Sequence, residues 1–168
     1  YSEIAIIWKT DELKRTKPSP LDEAKWGLAV IEDSLWDTIP KVYKRLNDIF
    51  RKNLKKDLPR DFNPIQFGSW MGGDRDGNPN VTAEVTKKVL LFSRWQAAKL
   101  YDKELTKLIQ DLSMEECSTK IKKITGSSFE PYRVFLRPIR NKVRLTHQLI
   151  ENHLNCLLYT SDAADDVA

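Results

Sequence analysis

One segment limits what this chain can fold into. Residues 64–70 (Pro-Ile-Gln-Phe-Gly-Ser-Trp) are its one good strand candidate, partly alternating in polarity and bounded by Pro and Gly. Almost everything around them carries the three-and-four spacing of helices. A single strand cannot make a sheet, because its backbone N–H and C=O groups need a neighbour. Its partners therefore lie outside this sequence, or the segment is a lone extended piece.

The helical pattern begins at residue 1 and fades near residue 14, apolar early (Ile4, Ile6, Ile7, Trp8) and charged late. Pro18 and Pro20 break it. Ser19 offers the next helix an N-cap, with Pro20 in its first turn and Asp22 and Glu23 at the positive end of its dipole. That helix is predicted over about residues 21–53. One face (Ala24, Leu28, Ile31, Leu35, Ile39, Val42, Leu46, Phe50) is expected to be buried and is widened by Trp26 and Trp36. Pro40 is expected to kink or split it. Residues 55–63 form a polar connection. Thr82, or else Asn80, caps a helix predicted to reach about Leu112, with Val85, Val89, Phe92, Trp95, Ala98, Leu105 and Ile109 as its apolar stripe. Ser113 with Glu116 resembles a capping box for a short helix ending near Ile124. Residues 126–128 loop into a last helix over about 130–154, with Pro138 as a kink. The class is mostly α, with long helices around one strand, a pattern natural for a slice of something larger.

At 168 residues, 31% charged and 40% hydrophobic, the composition is globular. No apolar stretch is long enough to span a bilayer, and no signal peptide is visible. The formal charge is +4. Lys and Arg are mixed with Glu and Asp along helical faces, and no nucleic-acid fingerprint appears, so the basic balance reads as solvated helix surface. Anionic small molecules also suit it. Residues 156–168 (Cys-Leu-Leu-Tyr-Thr-Ser-Asp-Ala-Ala-Asp-Asp-Val-Ala) look like a translated sequencing-library adapter and are expected to be foreign to the protein. Without them the chain is more basic, and Cys117 is its single cysteine, which excludes a disulfide framework and suits a reducing compartment.

The richest chemistry lies directly behind the strand candidate. Residues 67–80 (Phe-Gly-Ser-Trp-Met-Gly-Gly-Asp-Arg-Asp-Gly-Asn-Pro-Asn) concentrate Gly68, Gly72, Gly73, Gly77, Asp74, Asp76, Arg75 and Asn78 beside the aromatic Trp70. Glycine permits positive φ and close ligand approach. A Walker loop needs Gly-Lys-Ser/Thr where this chain has Gly77-Asn78-Pro79. An EF-hand starting at Asp74 needs Gly at its sixth position and Glu at its twelfth, where Pro79 and Val85 stand. A strand-to-helix loop at the edge of an active site fits better, with Asp74 and Asp76 clamping Arg75 for forked recognition of carboxylate or phosphate. A tight turn with an internal Asp–Arg pair fits equally well.

Residues 69–82 resemble the signature of phosphoenolpyruvate carboxylases of bacterial type. The similarity extends to residues 18–27, 32–36, 89–95 and 130–133, and covers about residues 1–155. The chain is thus identified as a member of that family, as an internal piece of the N-terminal half. The resemblance implies an enzyme several times longer than this chain, which carboxylates phosphoenolpyruvate with bicarbonate to oxaloacetate and phosphate and needs Mg²⁺ or Mn²⁺. It implies an eight-stranded α/β barrel in a large helical shell, with residues 64–70 as one stave. It also implies a cytoplasmic, allosterically controlled homotetramer with neither nucleic-acid nor membrane partners.

Within that family Trp70 resembles the indole that lines the pocket for the methylene end of the substrate. Arg75 supplies charge or holds the loop, and Gly72, Gly73, Asp74, Asp76, Gly77 and Asn78 shape the site. The family's catalytic His motif (Thr-Ala-His-Pro-Thr-Glu), its metal-binding carboxylates, its catalytic Lys and its Gly-Arg-Gly-Gly loop are not in this sequence. No catalytic residue and no metal ligand is therefore assigned here, and His147 and His153 read as packing or surface residues. Helical faces cut from their partners are expected to leave exposed apolar patches. The rival reading is a free-standing helical module that binds anions or proteins.

Overall fold

The computed structural model describes residues 18–59 and 61–165, with Ile4 and Trp8 as single helical positions, and side-chain surroundings as far as residue 156. The helix expected over residues 1–14 otherwise lies outside the described residues. The elements, in order, are α1 (Pro20–Val30), a π-helical stretch (Ile31–Leu35), α2 (Trp36–Leu54), α3 (Ala83–Asp111), α4 (Thr119–Thr125) and α5 (Pro131–Asp165). The mostly-α reading holds.

α1 starts where the local chemistry directs. The Ser19 hydroxyl accepts from the Asp22 amide at 3.2 Å, while the Asp22 carboxylate accepts from the Ser19 amide and hydroxyl, and Pro20 fills the first turn. Pro40 does not split the helix. It has no N–H to give the Trp36 carbonyl, and its ring crowds that group. The ladder has already widened into the π stretch one turn earlier, which carries the irregularity instead. α2 ends at Lys55, whose φ of 54° is left-handed. The connection then folds back on α2: Asp57 pairs with Arg51 at 2.6 Å, the Leu58 amide donates to Asn47 Oδ1 at 2.7 Å, and Tyr43 donates to the Pro59 carbonyl. The Arg51 guanidinium, then the Asn47 amide, hold the Asp57 carboxyl below its ordinary value.

Two expectations need correction. Among the described residues there is no strand, and residues 64–70 are an irregular, exposed run with no ladder partner. Among the described residues nothing offers the run a paired edge. The short helix is capped by Ser118, not Ser113: the Ser118 hydroxyl accepts from the Ile121 amide, and residues 112–118 are non-helical. Ser113 follows the last turn of α3 too closely to start a new helix.

α3 and α5 form the main packed pair, with α1 laid on α3 and α4 on α5. Val89, Ala98, Leu100, Ile109 and Ile150 are buried between these helices or beside the loop, together with Ala24, Leu58 and Val81. Arg133, near the start of α5, closes the end of α3: its Nε and Nη2 donate to the Ile109 and Gln110 carbonyls at 2.7 and 3.0 Å, and Glu130 holds its Nη1. Those carbonyls are among the orphaned groups of a helix C-terminus, where a cation also meets the dipole favourably. The face expected to be buried on α1 and α2 is not. Ala24 alone of its eight residues is buried, and Val42 is 48% exposed. Trp36 meets Tyr101 edge to face at 5.3 Å.

Candidate functional site

Residues 70–81 form three successive turns. In the first, the Trp70 carbonyl accepts from the Gly73 and Asp74 amides, both at 2.9 Å; in the second, the Arg75 carbonyl accepts from the Asn78 amide at 2.8 Å; in the third, the Asn78 carbonyl accepts from the Val81 amide at 3.2 Å. Gly72 and Gly77 stand third in the first two turns, with φ of 71° and 70°, where a side chain would be strained. Pro79 stands second in the third turn, where its fixed φ is favoured. Asp74 Oδ1 accepts from the Asp76 amide and Asn78 Oδ1 from the Asn80 amide, two side chains mimicking turns. The Thr82 hydroxyl then accepts from the Val85 amide and starts α3.

One side of this loop is fastened to helices. Gly72 is buried so closely on α3 that a Cβ would lie 2.5 Å from Val89 Cγ2. Its carbonyl accepts from the Thr86 hydroxyl at 2.6 Å. Met71 lies over Gly27 of α1, where a Cβ would come 2.2 Å from its Cε. Val81 is 6% exposed.

The other side is presented to solvent. Trp70 is 74% exposed, and Gly73, Asp74, Arg75, Asp76 and Gly77 are exposed too. Among the described residues no ion pair engages Arg75, which corrects the expected clamp. The Asp74 carboxylate is turned to the Asp76 amide instead. Gly73 has neither a positive φ nor a tight neighbour; a Cβ there would meet only the Trp70 carbonyl, at 3.7 Å.

The sequence-predicted residues therefore divide. Gly72, Gly77, Asp74 and Asn78 build the turns. Trp70, Gly73, Arg75 and Asp76 have side chains or space that the fold does not use. An unpaired guanidinium beside an exposed indole and open backbone can receive a small planar anion.

Elsewhere an open groove of about 600 Å³ is lined by Ile31, Leu35, Trp36, Ile39, Pro40 and Phe67, with Asp37, Lys41 and Glu104 also in its lining. Its surface is mostly apolar. His147 stacks on Trp95 at 5.0 Å between centroids, and His153 is exposed. Among the described residues no group of three or more His, Cys, Asp or Glu side chains is placed to hold a metal ion. No described helix is long and apolar enough to cross a membrane.

Sequence reasoning missed Thr86, Gly27 and Arg133 as the residues that hold the loop and its helices. Arg133 stood in a matched motif (residues 130–133) and Gly27 in another. Thr86 lies four residues after a cap, a spacing that carries no signal by itself.

A family model described as phosphoenolpyruvate carboxylase matches residues 1–165. The "Phosphoenolpyruvate carboxylase" of Klebsiella pneumoniae (strain 342) is 48% identical over 153 residues, 90% of this chain and 17% of that protein. The protein of the same name from Pseudomonas paraeruginosa (strain DSM 24068 / PA7) is 48% identical over 143 residues, 85% of this chain and 16% of that protein. That from Acinetobacter baumannii (strain ATCC 17978) is 44% identical over 156 residues, 92% of this chain and 17% of that protein. The chain thus spans about a sixth of the length of the curated relatives it matches. Matched along nearly its whole length, and at close to half identity, this chain belongs to the phosphoenolpyruvate carboxylase family.

Proposed function

We propose that this chain is part of an enzyme that carboxylates phosphoenolpyruvate with bicarbonate, and that the exposed side of the 70–78 turns lines its substrate pocket. The observation that carries this reading is the division of the loop. Its turn-forming residues are used internally and fastened to α1 and α3, while Trp70 and Arg75, inside the family signature, are left free.

In the reaction, a bicarbonate oxygen attacks phosphorus and the phosphorus–enol oxygen bond breaks, leaving carboxyphosphate and the enolate of pyruvate. Carboxyphosphate then gives carbon dioxide and phosphate, and the enolate carbon attacks the carbon dioxide. A proton reaching the enolate first would waste it as pyruvate, so the pocket must exclude water. Trp70 suits that task as an apolar wall against the methylene carbon. Arg75 suits charge stabilisation of the substrate's anionic groups, or holding the loop against them.

A divalent ion, Mg²⁺ or Mn²⁺, would polarise the phosphoryl and enolate oxygens when bound. The residues here do not fit it, since Asp74 is committed to its turn and no described carboxylate cluster accompanies it. The ligands, like the catalytic His and Lys, then come from elsewhere in the longer enzyme, and this chain alone is inactive. We read residues 64–70 as one stave of an α/β barrel whose neighbours also lie elsewhere, and the longer protein as a cytoplasmic homotetramer. Residues 156–168 we read as translated adapter, which genomic sequencing across this segment would test.

Steady-state kinetics of the full-length protein test the site. Trp70→Ala and Arg75→Ala are each expected to raise the KM for phosphoenolpyruvate roughly tenfold, the size of one lost charged or packed contact. Trp70→Ala should also raise the share of pyruvate among the products. Unchanged KM and product ratio in both variants would remove the loop from the pocket.

A further inference from the structure

We infer that Thr86, one turn into α3, is a positioning residue for substrate binding, acting through the carbonyl of Gly72; this rests on the loop lining the pocket. The Thr86 hydroxyl lies 2.6 Å from the Gly72 carbonyl and 3.1 Å from the Thr82 carbonyl. It has one proton to give. The Gly72 carbonyl is nearer by half an ångström, and the Thr82 carbonyl also receives the Thr86 amide at 3.0 Å, so the hydroxyl proton is assigned to Gly72.

That bond is the described polar tie between the loop and the body of α3. Gly72 is buried and sits third in the turn whose first residue is Trp70. Fixing its carbonyl fixes the peptide plane between Gly72 and Gly73, and with it the amides of Gly73 and Asp74 that close on Trp70. Val89, pressed on the α-carbon of Gly72, restrains position but not the rotation of that peptide plane. Thr86 supplies the rotational restraint. Its side chain is half-buried and its hydroxyl is engaged by the Gly72 carbonyl, so its role runs through the loop backbone.

The test compares Thr86→Val with Thr86→Ser in the full-length protein. Val keeps the β-branched shape and loses the hydroxyl; Ser keeps the hydroxyl. In Thr86→Val, amide hydrogen exchange over residues 70–78 is expected to accelerate, and the KM for phosphoenolpyruvate to rise about three- to tenfold, the worth of one hydrogen bond, while kcat changes less. Thr86→Ser is expected to restore both. Val and Ser variants with equal KM and equal exchange would overturn the inference, as would accelerated exchange with an unchanged KM while Trp70→Ala still raises it. If Trp70→Ala and Arg75→Ala leave the KM unchanged, the pocket assignment fails instead, and the inference falls with it by that separate route.

Discussion

Two glycines in one loop have different burdens. Gly77 needs only its φ of 70°, with nothing within 4 Å of where a Cβ would stand. Gly72 needs both its φ of 71° and the absence of a side chain against Val89. Gly77→Ala is therefore expected to cost about 1 kcal/mol of stability, and Gly72→Ala about 3 kcal/mol, strain and overpacking adding. Urea unfolding of the two variants checks the order; equal losses would contradict the close seat of Gly72. The positive-φ roles of both were legible from Gly content behind an apolar segment. The predicted Asp74–Arg75 clamp was not, because opposite charges at neighbouring positions say nothing of competing backbone partners. Here the Asp76 amide wins the Asp74 carboxylate.

Among elements, the local signals at Ser19 and Thr82 read correctly, the one at Ser113 did not, and those needing distant partners were not legible. The boundary at Ser19 is written in three neighbouring residues, and the cap at Thr82 in one. Pro40 was visible, but the π stretch that absorbs it lies a turn earlier and leaves no mark in the periodicity. The strand over residues 64–70 does not form within this chain, because a strand is a property of a pair. The Ser19 start also has a pH signature. The Ser19 hydroxyl, then its amide, lower the pKa of Asp22 below its ordinary 3.8. A depressed folded pKa gives stability that is present above the unfolded value and lost as pH falls through the folded one. Acidification from about pH 5 to about pH 3 is thus expected to destabilise the chain less in Ser19→Ala than in the natural sequence, since protonation there removes a contact already gone. Thermal melts at both pH values measure this; an undiminished acid loss in the variant would exclude the cap as its source.

At the scale of the molecule, packing is uneven. The stripe on α1 and α2 is at most half-buried apart from Ala24, the groove from Ile31 to Pro40 is open and the run from residue 64 to Trp70 is exposed, while the α3–α5 pair is packed. The helical periodicity showed that this face is apolar; among the described residues nothing covers it, and the chain accounts for a sixth of its relatives' length. The proposed function divides in the same way: in it the loop is a wall, and the groups that break and form bonds come from elsewhere in the longer enzyme. The decisive measurement is phosphate release from phosphoenolpyruvate by the purified 168-residue chain, with and without bicarbonate and Mg²⁺. No release above the protein-free control is expected under any combination, whereas release that requires both bicarbonate and Mg²⁺ would contradict the account.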